Sequence, residues 1–168
     1  MTMNALSFVL DFERKGAETY LKLAEKTNNK LGKKLFYSLA VEEVEHARKA
    51  DEFYGGAALH GVTAQTNTDA IEKKLKEFFD KMGKSSFAPG KENTEGYELA
   101  MELEKKGYEA YDGFLKAAKT EEEKAFFAWI LGQEKEHLAA IANVYSYLTG
   151  TGDWLQNDES RTWNWMNF

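Results

Sequence analysis

The sequence predicts an all-α protein, an antiparallel four-helix bundle made of two helix-hairpin repeats with a long crossover carrying a short extra helix. Three observations predict it. A single proline and an abundance of Glu, Lys, Ala and Leu favour helix along the chain. Apolar residues recur at three- and four-residue spacing in four long segments. Finally, Glu13, Tyr20, Glu43 and His46 return as Glu104, Tyr111, Glu134 and His137, each 91 residues on, with no insertion or deletion.

The first helix is expected over residues 4–27, capped by Thr2 or Asn4 and ending near Asn28 and Asn29. Its apolar stripe is Leu6, Val9, Leu10, Ala17, Leu23 and Ala24. The second, over residues 30–54, carries Leu35, Leu39, Ala50 and Phe53 and stops at Gly55 and Gly56. The third begins near Asn93 and Thr94, ends around Lys119, and carries Ala100, Leu103, Leu115 and Ala118. Thr120 followed by Glu123 reads as a capping box. It opens the fourth helix, with Phe127, Ile130, Ile141 and Val144, which runs to Leu148 before Thr149 and Gly150. Short loops make the helices of each pair antiparallel. In the crossover, residues 55–92, Thr68 caps an extra helix with Ile71, Leu75, Phe78, Phe79 and Met82 on one face, and residues 83–90 read as loop. Residues 1–148 are thus one bundle domain. In the tail, residues 149–168, Trp154, Trp163, Trp165 and Phe168 are expected to pack on the bundle or on a second subunit.

Composition narrows the function. Twenty-two basic against 28 acidic residues leave a net charge of −6. With no basic cluster, this argues against nucleic acid or an anionic membrane as partner. The lack of cysteine excludes disulfides, thiol catalysis, cysteine-ligated zinc and iron–sulfur clusters. No apolar run reaches the roughly 20 residues of a membrane span, and no amino-terminal apolar run has basic flanks. A soluble, cytoplasmic protein is expected. As one domain, 168 residues bury roughly 70% of their unfolded surface.

The repeated residues lie on the apolar stripes, with i, i+3 and i, i+7 spacings that keep them on one face. Four buried, unpaired carboxylates are very unfavourable, and no Lys or Arg stands on those stripes. Two divalent cations would balance the four charges while both histidines bind neutral. Glu13, Glu43, His46, Glu104, Glu134 and His137 are therefore the candidate metal ligands. Oxygen-rich ligation with one imidazole per ion suits iron or manganese better than structural zinc, although adventitious zinc would also bind. Glu18, Glu42, Glu45, Glu109 and Glu136 read as solvated, and His60, alone in the crossover, as a surface residue. Tyr20 and Tyr111 lie two turns from Glu13 and Glu104. They read either as hydrogen-bond donors to a ligand carboxylate or as core packing. Gly16 and Gly107, which repeat at the same offset, leave space for close helix contact or for a small oxidant.

The pattern Glu-x6-Tyr, some thirty residues, then Glu-x-x-His, given twice, resembles the rubrerythrin branch of the ferritin-like superfamily over residues 4–148. The resemblance implies a non-haem di-iron centre on those six ligands, Glu43 and Glu134 bridging and Glu13 and Glu104 terminal. It implies a peroxidase that reduces hydrogen peroxide, or dioxygen, by cycling iron between ferrous and ferric states. The rubredoxin-like cysteines of typical members have no counterpart here, so electrons are expected from a separate donor, a rubredoxin-like protein or a reductase. The family's additional third-helix glutamate is also missing, since Lys105, Lys106 and Gly107 stand in its place. A homodimer is expected from the aromatic tail. Ferrous-iron oxidation for storage or detoxification is the alternative. A metal-free helical interaction module, the alternative of another class, would leave the core glutamates neutral or reached by solvent.

Overall fold

The 91-residue offset reappears in the helix boundaries. The structure, a computed structural model, describes residues 3–58, 65–66 and 94–149. Within them α1 (Ala5–Lys26) and α2 (Lys30–Ala58) form one hairpin, and α3 (Thr94–Ala117) and α4 (Glu121–Thr149) the other. Lys26 and Ala117, Lys30 and Glu121, and Ala58 and Thr149 are all related by the same offset.

Local chemistry sets these ends. Asn29, expected to close the first helix, instead caps the second: its Oδ1 accepts from the Leu31 N–H at 2.8 Å and the Gly32 N–H at 3.1 Å. At α4 the Glu123 N–H donates to Thr120 Oγ1 at 3.2 Å, while Glu123 Oε2 accepts from the Lys119 N–H at 3.1 Å. The capping box thus closes one residue earlier than its usual form. Glu121, Glu122 and Glu123 also meet the positive end of the α4 dipole. The third helix ends at Ala117 rather than Lys119, where the Ala118 N–H turns back to the Leu115 carbonyl at 3.3 Å.

Two expectations need correction. The second helix does not stop at Gly55 and Gly56 but continues to Ala58. Phe53 and Tyr54 anchor the turn before the glycines on Phe126, with ring centroids 4.7 and 6.0 Å away. Ala57 and Ala58, strong helix formers, carry the helix on. The structure also contains a two-residue antiparallel ladder, β1 (Met3–Asn4) with β2 (Gln65–Thr66), pairing Met3 with Thr66 and Asn4 with Gln65. It brings part of the crossover beside the start of α1. Thr2, the extra helix with its Thr68 cap, residues 83–90, His60 and residues 150–168 lie outside the described residues.

Contacts between the hairpins fix their relative direction. Tyr20 meets Glu104 and Glu13 meets Tyr111, so α1 and α3 run antiparallel. Glu42 meets His137, His46 meets Trp129 and Phe53 meets Phe126, so α2 and α4 do too. The helices close a ring in the order α1, α2, α4, α3.

The expected stripes are buried, with Leu6, Leu10, Phe53, Leu115 and Ala118 only partly so. Aromatic rings add two layers that the stripes omitted. Phe8, Phe12, Tyr111, Phe114 and Phe127 pack at centroid distances of 5.3 to 6.3 Å. Toward the other end, Tyr20, Phe36 and Tyr97 pack at 6.1 and 5.0 Å. Burying such a ring stabilises by about 1.5–3 kcal/mol, and the two layers keep water from the space between them. No helix among the described residues is long and apolar enough to cross a membrane.

Candidate metal centre

Between the aromatic layers all six ligand candidates converge. Glu13 comes from α1, Glu43 and His46 from successive turns of α2, Glu104 from α3, and Glu134 and His137 from α4. None exposes more than 2% of its surface. One donor atom from each of Glu43, His46, Glu134 and His137 lies within 4.8 Å of the others. His46 Nδ1 is 3.3 Å from Glu13 Oε2, 3.5 Å from Glu43 Oε2 and 3.9 Å from Glu134 Oε1. His137 Nδ1 is 3.4 Å from Glu43 Oε1 and 3.5 Å from Glu104 Oε2. Glu43 therefore turns one oxygen toward each imidazole, whereas Glu13 and Glu104 each approach only one. The imidazoles stack with centroids 5.1 Å apart and planes 14° from parallel.

Both tyrosines are fully buried and reach across the hairpins. Tyr20 Oη donates to Glu104 Oε1 and Tyr111 Oη to Glu13 Oε1. Of the two roles open from sequence, hydrogen bonding to a ligand-type carboxylate is the one observed, within the core. The glycines serve close helix contact. A Cβ at Gly16 would stand 3.2 Å from Glu43 Cδ. One at Gly107 would stand 2.5 Å from Glu134 Oε2 and 2.8 Å from Phe12 Cε1. The notch in each hairpin is filled by the carboxylate of the opposing helix.

The electrostatics follow from burial. Burial pushes the Glu13 carboxyl well above its usual range, and neighbouring Glu43 and Glu134 push it further. Glu134 rises for the same reason, burial first and then Glu104 and Glu43. Burial would also raise Glu43, but the neighbouring Glu13, His137 and His46 side chains outweigh it and hold Glu43 down. Burial opposes the charged form of His137, yet Glu104, Glu42 and Glu43 lift it well above the usual imidazole value. Protons thus relieve the repulsion that cations would otherwise relieve.

The donor set fits a metal. Glu43 Oε2, Glu104 Oε2, both Glu134 oxygens and His137 Nδ1 are buried without a hydrogen-bond partner. Such atoms are ordinarily partnered, and these belong to one cluster of carboxylate and imidazole donors suited to iron or manganese. Two neighbours were not foreseen. Glu42, read as solvated, is half exposed but sets Oε2 2.9 Å from His137 Nε2. Its position one residue before Glu43 was the available signal. Trp129 stands perpendicular to His46 at 5.5 Å, and its spacing carries no signal of that contact. Glu18, Glu45, Glu109 and Glu136 are exposed, as expected.

Among known proteins, the rubrerythrin family model matches residues 4–145 of this chain. No curated protein and no solved structure matches it.

Proposed function

The chain belongs to the rubrerythrin family, and from that premise we propose that it is a di-iron oxidoreductase reducing hydrogen peroxide, or dioxygen, in oxidative-stress defence. The observation that carries this reading is the convergence of four glutamates and two histidines in one buried space, with five of their donor atoms unpartnered. Glu13 and His46 would hold one iron and Glu104 and His137 the other, with Glu43 and Glu134 shared. Bound ferrous iron supplies the two electrons that turn a peroxide into water.

The chain's own residues do the rest. The aromatic layers exclude bulk water. Tyr20 and Tyr111 fix Glu104 and Glu13 by hydrogen bonds. Burial and the neighbouring Glu13 keep the Tyr111 phenol protonated far above neutrality, so its hydrogen bond to Glu13 Oε1 persists at working pH. A separate donor protein, a rubredoxin-like protein or a reductase, would return the electrons. We place the protein in the cytoplasm, as a homodimer.

Ferrous-iron oxidation is the second reading, and one observation favours it. The family's additional third-helix glutamate has no counterpart, and a side chain at Gly107 would strike Glu134 and Phe12. The set of six ligand candidates is therefore symmetric between the hairpins, as in a simple ferroxidase.

Elemental analysis after anaerobic ferrous loading, followed by stopped-flow oxidation, tests both. Two irons per chain, oxidised faster by peroxide than by dioxygen and re-reduced by a donor, is the expected result. Continued ferrous oxidation well beyond two irons per chain would instead establish the ferroxidase. Failure to take up iron would leave a metal-free helical module.

A further inference from the structure

The six ligand candidates obey the internal repeat, but the groups behind the imidazoles do not. His137 directs Nδ1 to Glu43 and Glu104, at 3.4 and 3.5 Å, and its opposite nitrogen, Nε2, to Glu42 Oε2 at 2.9 Å. Glu42 belongs to α2 and His137 to α4, so this contact also ties one hairpin to the other. The residue related to Glu42 by the repeat is Gln133, which carries no charge. His46 instead packs perpendicular to the Trp129 ring, with centroids 5.5 Å apart.

An imidazole that gives its Nδ1 lone pair to a cation carries its proton on Nε2, and a carboxylate there fixes that tautomer and raises the basicity of the ring. We infer that Glu42 is a positioning residue that makes the two halves of the centre inequivalent, giving the cation on the His137 side the tighter site. This rests on the reading of the cluster as a two-metal centre.

The test is titration of the metal-free protein with cobalt(II), followed by its visible d–d absorption, with bound metal measured independently. The parent should take up two ions in two resolved steps. Glu42→Gln keeps a hydrogen-bonding side chain and removes the charge. It should weaken the tighter step by about 10- to 100-fold, bringing the two steps together, while Glu42→Asp restores part of the separation. Gln133→Glu should tighten the weaker step. Because Glu42 is half exposed, the melting temperature of metal-free Glu42→Gln should stay near that of the parent. Two steps in Glu42→Gln that match the parent would overturn the role of Glu42 and leave the metal centre standing. No cobalt uptake by the parent would overturn the centre and this inference together.

Discussion

Gly107→Ala separates a glycine that merely fills a helix from one that makes room for a ligand. Alanine in a helix interior is favoured over glycine by about 1 kcal/mol. Against that gain, the new Cβ would stand 2.5 Å from Glu134 Oε2 and 2.8 and 3.0 Å from two ring carbons of Phe12. The Phe12 ring is stacked on Phe8 and held edge-on by Tyr111, at 5.9 and 5.8 Å, so it cannot swing away cheaply. Overpacking of this kind costs about 1–3 kcal/mol, leaving a net loss of about 0–2 kcal/mol in the metal-free protein. The larger effect should appear with metal, because Glu134 is the group displaced. For a parent held at 100 times its dissociation constant, binding adds about 2.7 kcal/mol, or about 5–10 °C in melting temperature for a chain of this size. Gly107→Ala should lose most of that increment. Gly16→Ala is the control: its nearest contact, Glu43 Cδ, is 3.2 Å away, so the helix gain should offset most of the crowding. The assay is thermal unfolding of parent and both variants, with and without ferrous or manganous ion, alongside metal content. A Gly107→Ala protein with the parent's metal content and full metal-induced increment would refute the reasoning.

Other perturbations bear on the same site. Glu13, Glu134 and His137 bind protons more tightly folded than unfolded. Their stabilisation is complete below the unfolded values of 4.5 and 6.5 and is lost as pH rises through the folded ones. Glu43 acts oppositely, but only on the acid side of 4.5. The metal-free protein should therefore melt at lower temperature as pH rises from 5 to 9, and metal uptake should release protons; calorimetric titration in buffers of different ionisation enthalpy measures that release, and its absence would contradict the assignment. Tyr111→Phe leaves Glu13 Oε1 without its donor. It should cost about 1–3 kcal/mol and weaken metal binding about tenfold or more, measured by unfolding and competitive chelation. Glu43→Gln with Glu134→Gln removes the two carboxylates proposed to be shared and should abolish metal-dependent stabilisation, whereas an unchanged metal increment would exclude them as ligands. Asn29→Ala removes the α2 cap. It should cost about 1 kcal/mol, with metal content unchanged.

The candidate site was far more legible than its surroundings, for a physical reason. The spacing of Glu13 and Tyr20, and of Glu43 and His46, is a property of a single helix, and a helix fixes which residues share a face. Duplication then marked those residues apart from ordinary surface glutamates. The contact of Glu42 with His137 depends instead on how α2 is rotated against α4, which no spacing within one helix encodes. Asn29 is ambiguous in sequence because asparagine serves both to end helices and to cap them. The choice was made by backbone N–H groups two and three residues later. The pairs Gly16 and Gly107 and Phe36 and Phe127 obey the 91-residue repeat as well. Only the glycines stand out in the sequence, because buried phenylalanine needs no special explanation whereas mid-helix glycine does.

The crossed tyrosines show what kind of symmetry the repeat creates. Tyr20 donating to Glu104 and Tyr111 donating to Glu13 are one contact seen from either hairpin. Neither hairpin can complete the site alone, because each supplies the phenol that the other's glutamate needs. Two copies of one hairpin, docked about a twofold axis, would reproduce all six donors and both crossed bonds. Whatever distinguishes the two halves must therefore come from positions where the copies have diverged. Around the imidazoles these are Glu42 against Gln133 and Trp129 against Ser38. The first places a carboxylate behind His137, and the second places an indole perpendicular to the His46 ring. The first sets a charged group against one imidazole and the second an apolar ring against the other, so on the two-metal reading it is the divergence at Glu42 that bears on ligand basicity.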